Sequence, residues 1–192
     1  TRNTNDGISL LQVAEGGLGE ISNIFTRVRE LGIQAASDTI GDDERQFINQ
    51  ELIQLTSEVD RIANSTKYGS KHLLNGEGGA FDFQVGLHGT EDDKISFDAS
   101  KSHATTANLG VDDIDFTTKD GAKEALTRID EAQKQVNGFR ANIGSIQNRL
   151  NSTVSNLGTQ VENLSIANSQ IRDADIAEST AEYTKSNIIL NA

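Results

Sequence analysis

Ile129, Val136, Ile143, Leu150, Leu157, Leu164 and Ile171 stand seven residues apart through the last third of this chain. A strict seven-residue repeat keeps one apolar stripe on one side of a helix, and that stripe has to be buried against other helices. The sequence contains no proline to interrupt it. The spacing predicts a helix from about Ala122 to Asn187, which at 1.5 Å per residue is on the order of 100 Å long. A compact domain of this size is shorter in every direction. The expected fold is mostly α: an elongated rod of coiled-coil-like helices, of the kind that builds structures rather than catalyses.

Two shorter helices are expected before it. From about Asp6 to Ser37, Leu11, Leu18 and Phe25 form one seven-spaced row, and Ala14, Ile21, Val28 and Ala35 form the interleaved one. Asn5 and Asp6 are candidate N-caps. Gly16, Gly17 and Gly19 either permit a close helix approach or soften the helix, at about 1 kcal/mol each. Gly41 ends this stretch, and Asp42, Asp43 and Glu44 open the next at the positive end of a helix dipole. Ile48, Leu52, Leu55, Val59 and Ile62 give the second helix its seam.

Between about Asn64 and Gly121 the period changes. Phe81, Phe83 and Val85 alternate, Gly89 to Asp93 reads as a turn, and Ile95 and Phe97 alternate again, which is a β-hairpin pattern. Lys101 to Asp120 is polar and reads as irregular loop with one further short strand pair. The expected organisation is a single core domain spanning 1–192. It comprises N-terminal helices in 1–63, a hairpin and loop region in 64–121, and the long C-terminal helix in 122–192.

Composition narrows the function. The 192 residues carry 29 acidic and 17 basic side chains, a formal net charge of −12. That balance argues against nucleic acid, whose phosphates demand clustered Lys and Arg, and against anionic membranes. No apolar stretch reaches the about 18 residues that would span a bilayer. Without cysteine there is no disulfide framework and no thiolate nucleophile. Thr1 in place of an initiator methionine predicts a trimmed or processed chain.

No constellation of residues points to an enzyme, a cofactor or a metal. His72, His88 and His103 are scattered without the spacing of a zinc peptidase, and they read as surface histidines. Asp92-Asp93 and Asp112-Asp113 lack the oxygen-ligand loop of a calcium site and read as solvated turn acids. Gly76-Glu77-Gly78-Gly79 has no following Lys-Ser or Lys-Thr, so it reads as a turn and not a phosphate cradle.

The sequence resembles bacterial flagellins. Asn5-Asp6-Gly7-Ile8-Ser9, Ala14-Glu15-Gly16, Arg27-Val28-Arg29-Glu30-Leu31, Gln34-Ala35 and Glu58-Val59-Asp60-Arg61-Ile62 resemble the N-terminal signature of that family. Ile143-Gly144-Ser145-Ile146-Gln147-Asn148-Arg149-Leu150 and Asn163-Leu164-Ser165 through Ser169-Gln170-Ile171-Arg172-Asp173-Ala174-Asp175 resemble its C-terminal signature. The resemblance implies a subunit that packs with other flagellin subunits into an extracellular filament for motility, served by an export chaperone. It also implies that this chain is a core lacking the family's additional helical segment at each end, and therefore a soluble monomer.

Arg27, Leu31 and Gln34 share one face of the first helix, beside the Phe25/Val28 seam. The pattern leaves Leu31 either at the edge of the core or exposed for a partner. The resemblance implies that Arg27, Leu31 and Gln34, with Glu51 of the second helix, form a patch used in filament contacts and recognised by Toll-like receptor 5. An Arg and a Glu around an apolar anchor are typical parts of a binding hot spot. Thr26 and Leu55 depart from the receptor-activating pattern, where Gln and Arg are common. Two alternatives stay open at this point: a hook–filament junction protein and a secreted host-binding module.

Overall fold

A computed structural model describes residues 2–86, 90 and 93–191, with the side chains of 173–178 outside the description. His88, Asp92, most of the Gly89–Asp93 turn and the side chains of Asp173, Ala174 and Asp175 therefore lie outside the described residues. Among the described residues four α-helices and four strands follow in the order α1 (Arg2–Ala35), α2 (Asp42–Ser65), β1 (Lys67–Tyr68), β2 (Lys71–His72), β3 (Ala80–Gln84), β4 (Lys94–Asp98), α3 (Thr106–Leu109) and α4 (Lys119–Leu190). The mostly helical fold with a small hairpin region is as the sequence predicts. The described residues divide into two compact units, Arg2–Leu150 and 151–191, and α4 contributes to both.

In the first unit both rows of α1 are buried, with Leu11, Ala14, Leu18, Ile21, Phe25, Val28 and Ala35 fully out of solvent. The helix begins earlier than predicted, so Asn5 and Asp6 lie within it and cap nothing. α2 returns antiparallel to α1, as the cross-links Arg27–Glu51 and Arg45–Ala35 require. It starts with Gly41 in extended conformation and the expected acids in its first turn. Ile48, Leu52 and Val59 are buried, whereas Leu55 and Ile62 pack half-buried at the edge.

The first part of α4 runs antiparallel to α1. Arg29 Nε bonds Asp130 at 2.8 Å, Gln133 Nε2 donates to Thr26 Oγ1 at 3.3 Å, and Arg140 Nη2 reaches Glu15 at 3.1 Å. Ile129, Val136, Ile143 and Leu150 are fully buried between the helices.

β3 and β4 pair antiparallel, with Phe81 opposite Phe97 and Phe83 opposite Ile95. One sheet face buries Ile95 and Phe97 in the core, and the Phe81 and Phe97 rings stack with centroids 6.2 Å apart. Gly7 of α1 lets that face come close, since a Cβ there would stand 2.9 Å from the Phe83 ring.

Residues 101–120 correct the sequence reading. Among the described residues the second strand pair lies at β1–β2, around Gly69, and not here. The stretch is tightly held: Ser102, Ala104, Thr106, Leu109, Val111 and Phe116 are buried. Asp60 supplies the reason, because its carboxylate accepts from the backbone N–H of Thr106 at 2.8 Å and from its hydroxyl at 2.7 Å. Asn49 Oδ1 likewise accepts the N–H of Phe116 at 3.0 Å. Side chains from α2 thus satisfy backbone donors that have no sheet or helix partner.

In the second unit the seven-residue stripe continues without cover. Leu157 is half-buried, while Leu164 and Ile171 are each 67% exposed, together with Val161, Tyr183, Ile188, Ile189 and Leu190. The expectation of burial along the whole seam holds through Leu150 and not beyond it. No helix among the described residues is long and apolar enough to cross a membrane.

Candidate contact surface

The α1–α2 hairpin places three of the four predicted patch residues on its exposed side. Arg27 Nε donates to Glu51 Oε1 at 2.9 Å, and its Nη1 reaches Glu30 at 3.3 Å. The Glu51 carboxylate, followed by that of Glu30, raises the Arg27 pKa above its ordinary value. Both Arg27 and Glu51 keep about half their side chains in solvent, at 52% and 43%. Such a pair adds little to stability and is available to a partner. Gln34 is exposed about two turns further along α1.

Leu31 is different. It is buried to 2% exposure in the core, which settles the alternative left open by the pattern. Thr26 bonds back to the Ser22 carbonyl at 3.0 Å and accepts from Gln133, so it belongs to the α1–α4 side. Leu55 is half-buried against the core.

Two residues of this surface escape the sequence reading. Phe47 lies 68% exposed on α2, sharing a helical face with Glu51. It stands beside Ile48 of the seam, so the apolar pattern alone does not reveal that it turns outward. Arg45 is the opposite case, a charged residue buried to 8% because it serves the end of α1.

The remaining candidates have structural roles. His72 and His103 are half-buried rather than on the open surface. His72 Nδ1 lies 2.9 Å from the Asn64 carbonyl, and His103 Nε2 lies 2.9 Å from Thr105 Oγ1. Asp113 is the solvated acid expected, and it is ion-paired with Arg128, which holds its carboxyl below the usual range. Gly76 and Gly79 take positive φ, as a turn there requires. No group of three or more potential metal ligands occurs among the described residues.

The family model for the bacterial flagellin N-terminal helical region matches residues 1–78, and that for the C-terminal helical region matches residues 126–192. The chain belongs to the bacterial flagellin family. It is 36% identical to a flagellin of Halalkalibacterium halodurans over 192 residues, all of this chain and 70% of that protein. It is also 36% identical to the flagellin of Bacillus subtilis, matching all of this chain and 73% of the relative. The crystal structure of Bacillus cereus flagellin superposes with a TM-score of 0.72 at 31% identity, covering 86% of this chain and 94% of that one. Bacillus cereus FlgL shares the fold, with a TM-score of 0.65 at 19% identity. As a flagellin, the chain is a structural subunit of the flagellar filament and not an enzyme.

Proposed function

We propose that the Arg27–Glu51 face of this flagellin serves two partners, a neighbouring subunit in the filament and Toll-like receptor 5 on a host cell. The observation that carries this reading is the exposed 2.9 Å pair linking α1 to α2, with Gln34 beside it. A salt-bridged Arg and Glu held on two packed helices form a rigid, mixed-charge surface that needs little ordering before it binds. Leu31 supports the face from beneath, filling the core under Arg27 and Gln34. The stretches 1–63, 64–121 and 122–192 act in this reading as a single core domain.

The exposed stripe that includes Leu164 and Ile171 is the second assembly surface. An apolar seam of this extent needs a cover. Neighbouring subunits supply it in the filament, and an export chaperone supplies it before assembly.

The reading is tested with an Arg27→Ala, Glu51→Ala double variant that retains the parent's helical circular dichroism. Receptor binding is expected to fall at least tenfold, and filaments seen by electron microscopy after seeding are expected to be fewer or shorter. Receptor binding equal to the parent's would remove the receptor assignment. Undiminished assembly with lost receptor binding would make the face a host-contact surface alone.

A further inference from the structure

Among the described residues of the Arg2–Leu150 unit, Phe47 is the most exposed large apolar side chain. Glu44 and Glu51 stand on the same helical face, one turn to either side. An aromatic ring left in water inside a charged rim marks a contact site, because burying it on association gains more than burying a charge.

The same unit has a concave surface elsewhere. A cleft of about 560 Å³ opens between the β3–β4 hairpin and α4. The strand register sets Ala80 opposite Asp98 and Asp82 opposite Ser96, so the two carboxylates share the sheet face turned away from the core. Phe139 and Ile146 of α4 form the apolar part of the lining, and Lys101, ion-paired with Asp98 at 3.5 Å, and Arg149 contribute positive charge. The volume falls in the range that encloses a ring with its flanking groups.

We propose that Phe47 of one subunit inserts into the hairpin–α4 cleft of a second copy of this chain. The ring meets Phe139 and Ile146. Glu44 approaches Arg149, and the Arg27–Glu51 pair meets the Lys101–Asp98 pair, with Arg27 toward Asp98 and Glu51 toward Lys101, so both signs of charge find their complement. The two surfaces are different parts of the molecule, so the contact is heterologous. Each subunit keeps one knob and one cleft free for the next, and the series extends without closing. A Phe47-to-Phe47 contact would also bury the ring but would stop at two copies. The proposal rests on the filament-subunit function and adds the residues that make one of its contacts.

The absence of cysteine makes the test clean. A flagellin carrying Phe47→Cys and Asn142→Cys is assembled into filaments and treated with a short bis-maleimide. Asn142 is exposed on the cleft wall. The expected result on a denaturing gel is a ladder of dimers, trimers and longer covalent chains, with each single variant staying monomeric. A ladder absent from assembled filaments, or dimers from Phe47→Cys alone, overturns the proposal. Should the double variant fail to assemble, Phe47 replaced by p-benzoylphenylalanine keeps an aromatic ring. On irradiation of filaments it is expected to attach to residues 80–84, 94–102 or 138–149 of a neighbouring copy. Attachment solely outside those segments, or none, overturns the contact. Parent filaments in the microscope report separately on the subunit function itself.

Discussion

Arg45 of α2 donates its Nε proton to the carbonyl oxygen of Ala35, the last residue of α1, at 2.9 Å. Its Nη2 donates to the Ser37 carbonyl at 3.0 Å and its Nη1 to Asp42 Oδ1 at 2.9 Å. One buried guanidinium thus terminates one helix and braces the first turn of the next. The last carbonyls of a helix lack intrahelical partners and carry partial negative charge, so a cation there satisfies both needs.

Arg45→Met keeps much of the side-chain volume and removes every donor. Hydrogen bonds from charged groups contribute about 1.5–3 kcal/mol, and buried carbonyls left without partners add to the loss. The variant is expected to unfold with stability lowered on the order of 2–4 kcal/mol, read by urea denaturation. A loss under about 0.5 kcal/mol, the scale of an ordinary surface substitution, would mean that water replaces the guanidinium at no cost.

The three glycines in the middle of α1 separate into two kinds. A Cβ on Gly17 would stand 2.7 Å from Thr66 Oγ1 and 2.8 Å from Leu74 Cδ1, whereas Gly16 and Gly19 face open space. Thr66 is itself anchored by a 2.7 Å bond to the Ile62 carbonyl, so it cannot easily yield. Gly17→Ala is expected to destabilise by about 1–3 kcal/mol through overpacking. Gly16→Ala is expected to stabilise by up to about 1 kcal/mol through helix propensity. Thermal unfolding of the two variants should therefore move in opposite directions.

Seven-residue spacing made the helices and their seams legible, because burial on a helix face imposes that period wherever the partner is also a helix. It predicted Phe25, Val28, Ile129 and Ile143 in the core, and all four are fully buried. It could not say where cover ends, since Leu164 repeats the pattern and lies exposed. The apolar alternation at Phe81–Val85 and Ile95–Phe97 gave the hairpin for the same reason. Residues 101–120 were opaque because their order comes from single long-range bonds, Asp60 to Thr106 and Asn49 to Phe116, which leave no period. In the candidate surface, spacing grouped Arg27 with Gln34, but only packing distinguishes buried Leu31 from exposed Phe47.

Asp60 tests that long-range anchoring. Its carboxylate accepts both the N–H and the hydroxyl proton of Thr106 at the start of α3, in effect a cap supplied from another helix. Asp60→Ala is expected to cost about 1–2 kcal/mol, as loss of a helix cap does. Hydrogen exchange should speed selectively at residues 104–111, with α1 amides little changed. Uniform acceleration across the unit would instead mean that this segment unfolds only with the whole.

Acid should weaken the links between elements in a definite order of sign. Lys119 holds the Asp38 carboxyl below its ordinary value of 3.8, and Arg128 does the same for Asp113. In both cases the unfolded chain binds the proton more readily than the folded one. The stabilisation is therefore fully present above about pH 4 and is lost as pH falls through the lowered native values. Asp38 and Asp113 are largely exposed, at 82% and 72%, so each contribution is small and weakened by salt. An Asp38→Asn, Asp113→Asn variant is expected to melt slightly below the parent at pH 7 in low salt. Its melting temperature should fall less steeply than the parent's between pH 4 and pH 2.5, so that the two curves converge. Parallel curves across that range would show that these pairs form no more in the folded chain than in the unfolded one.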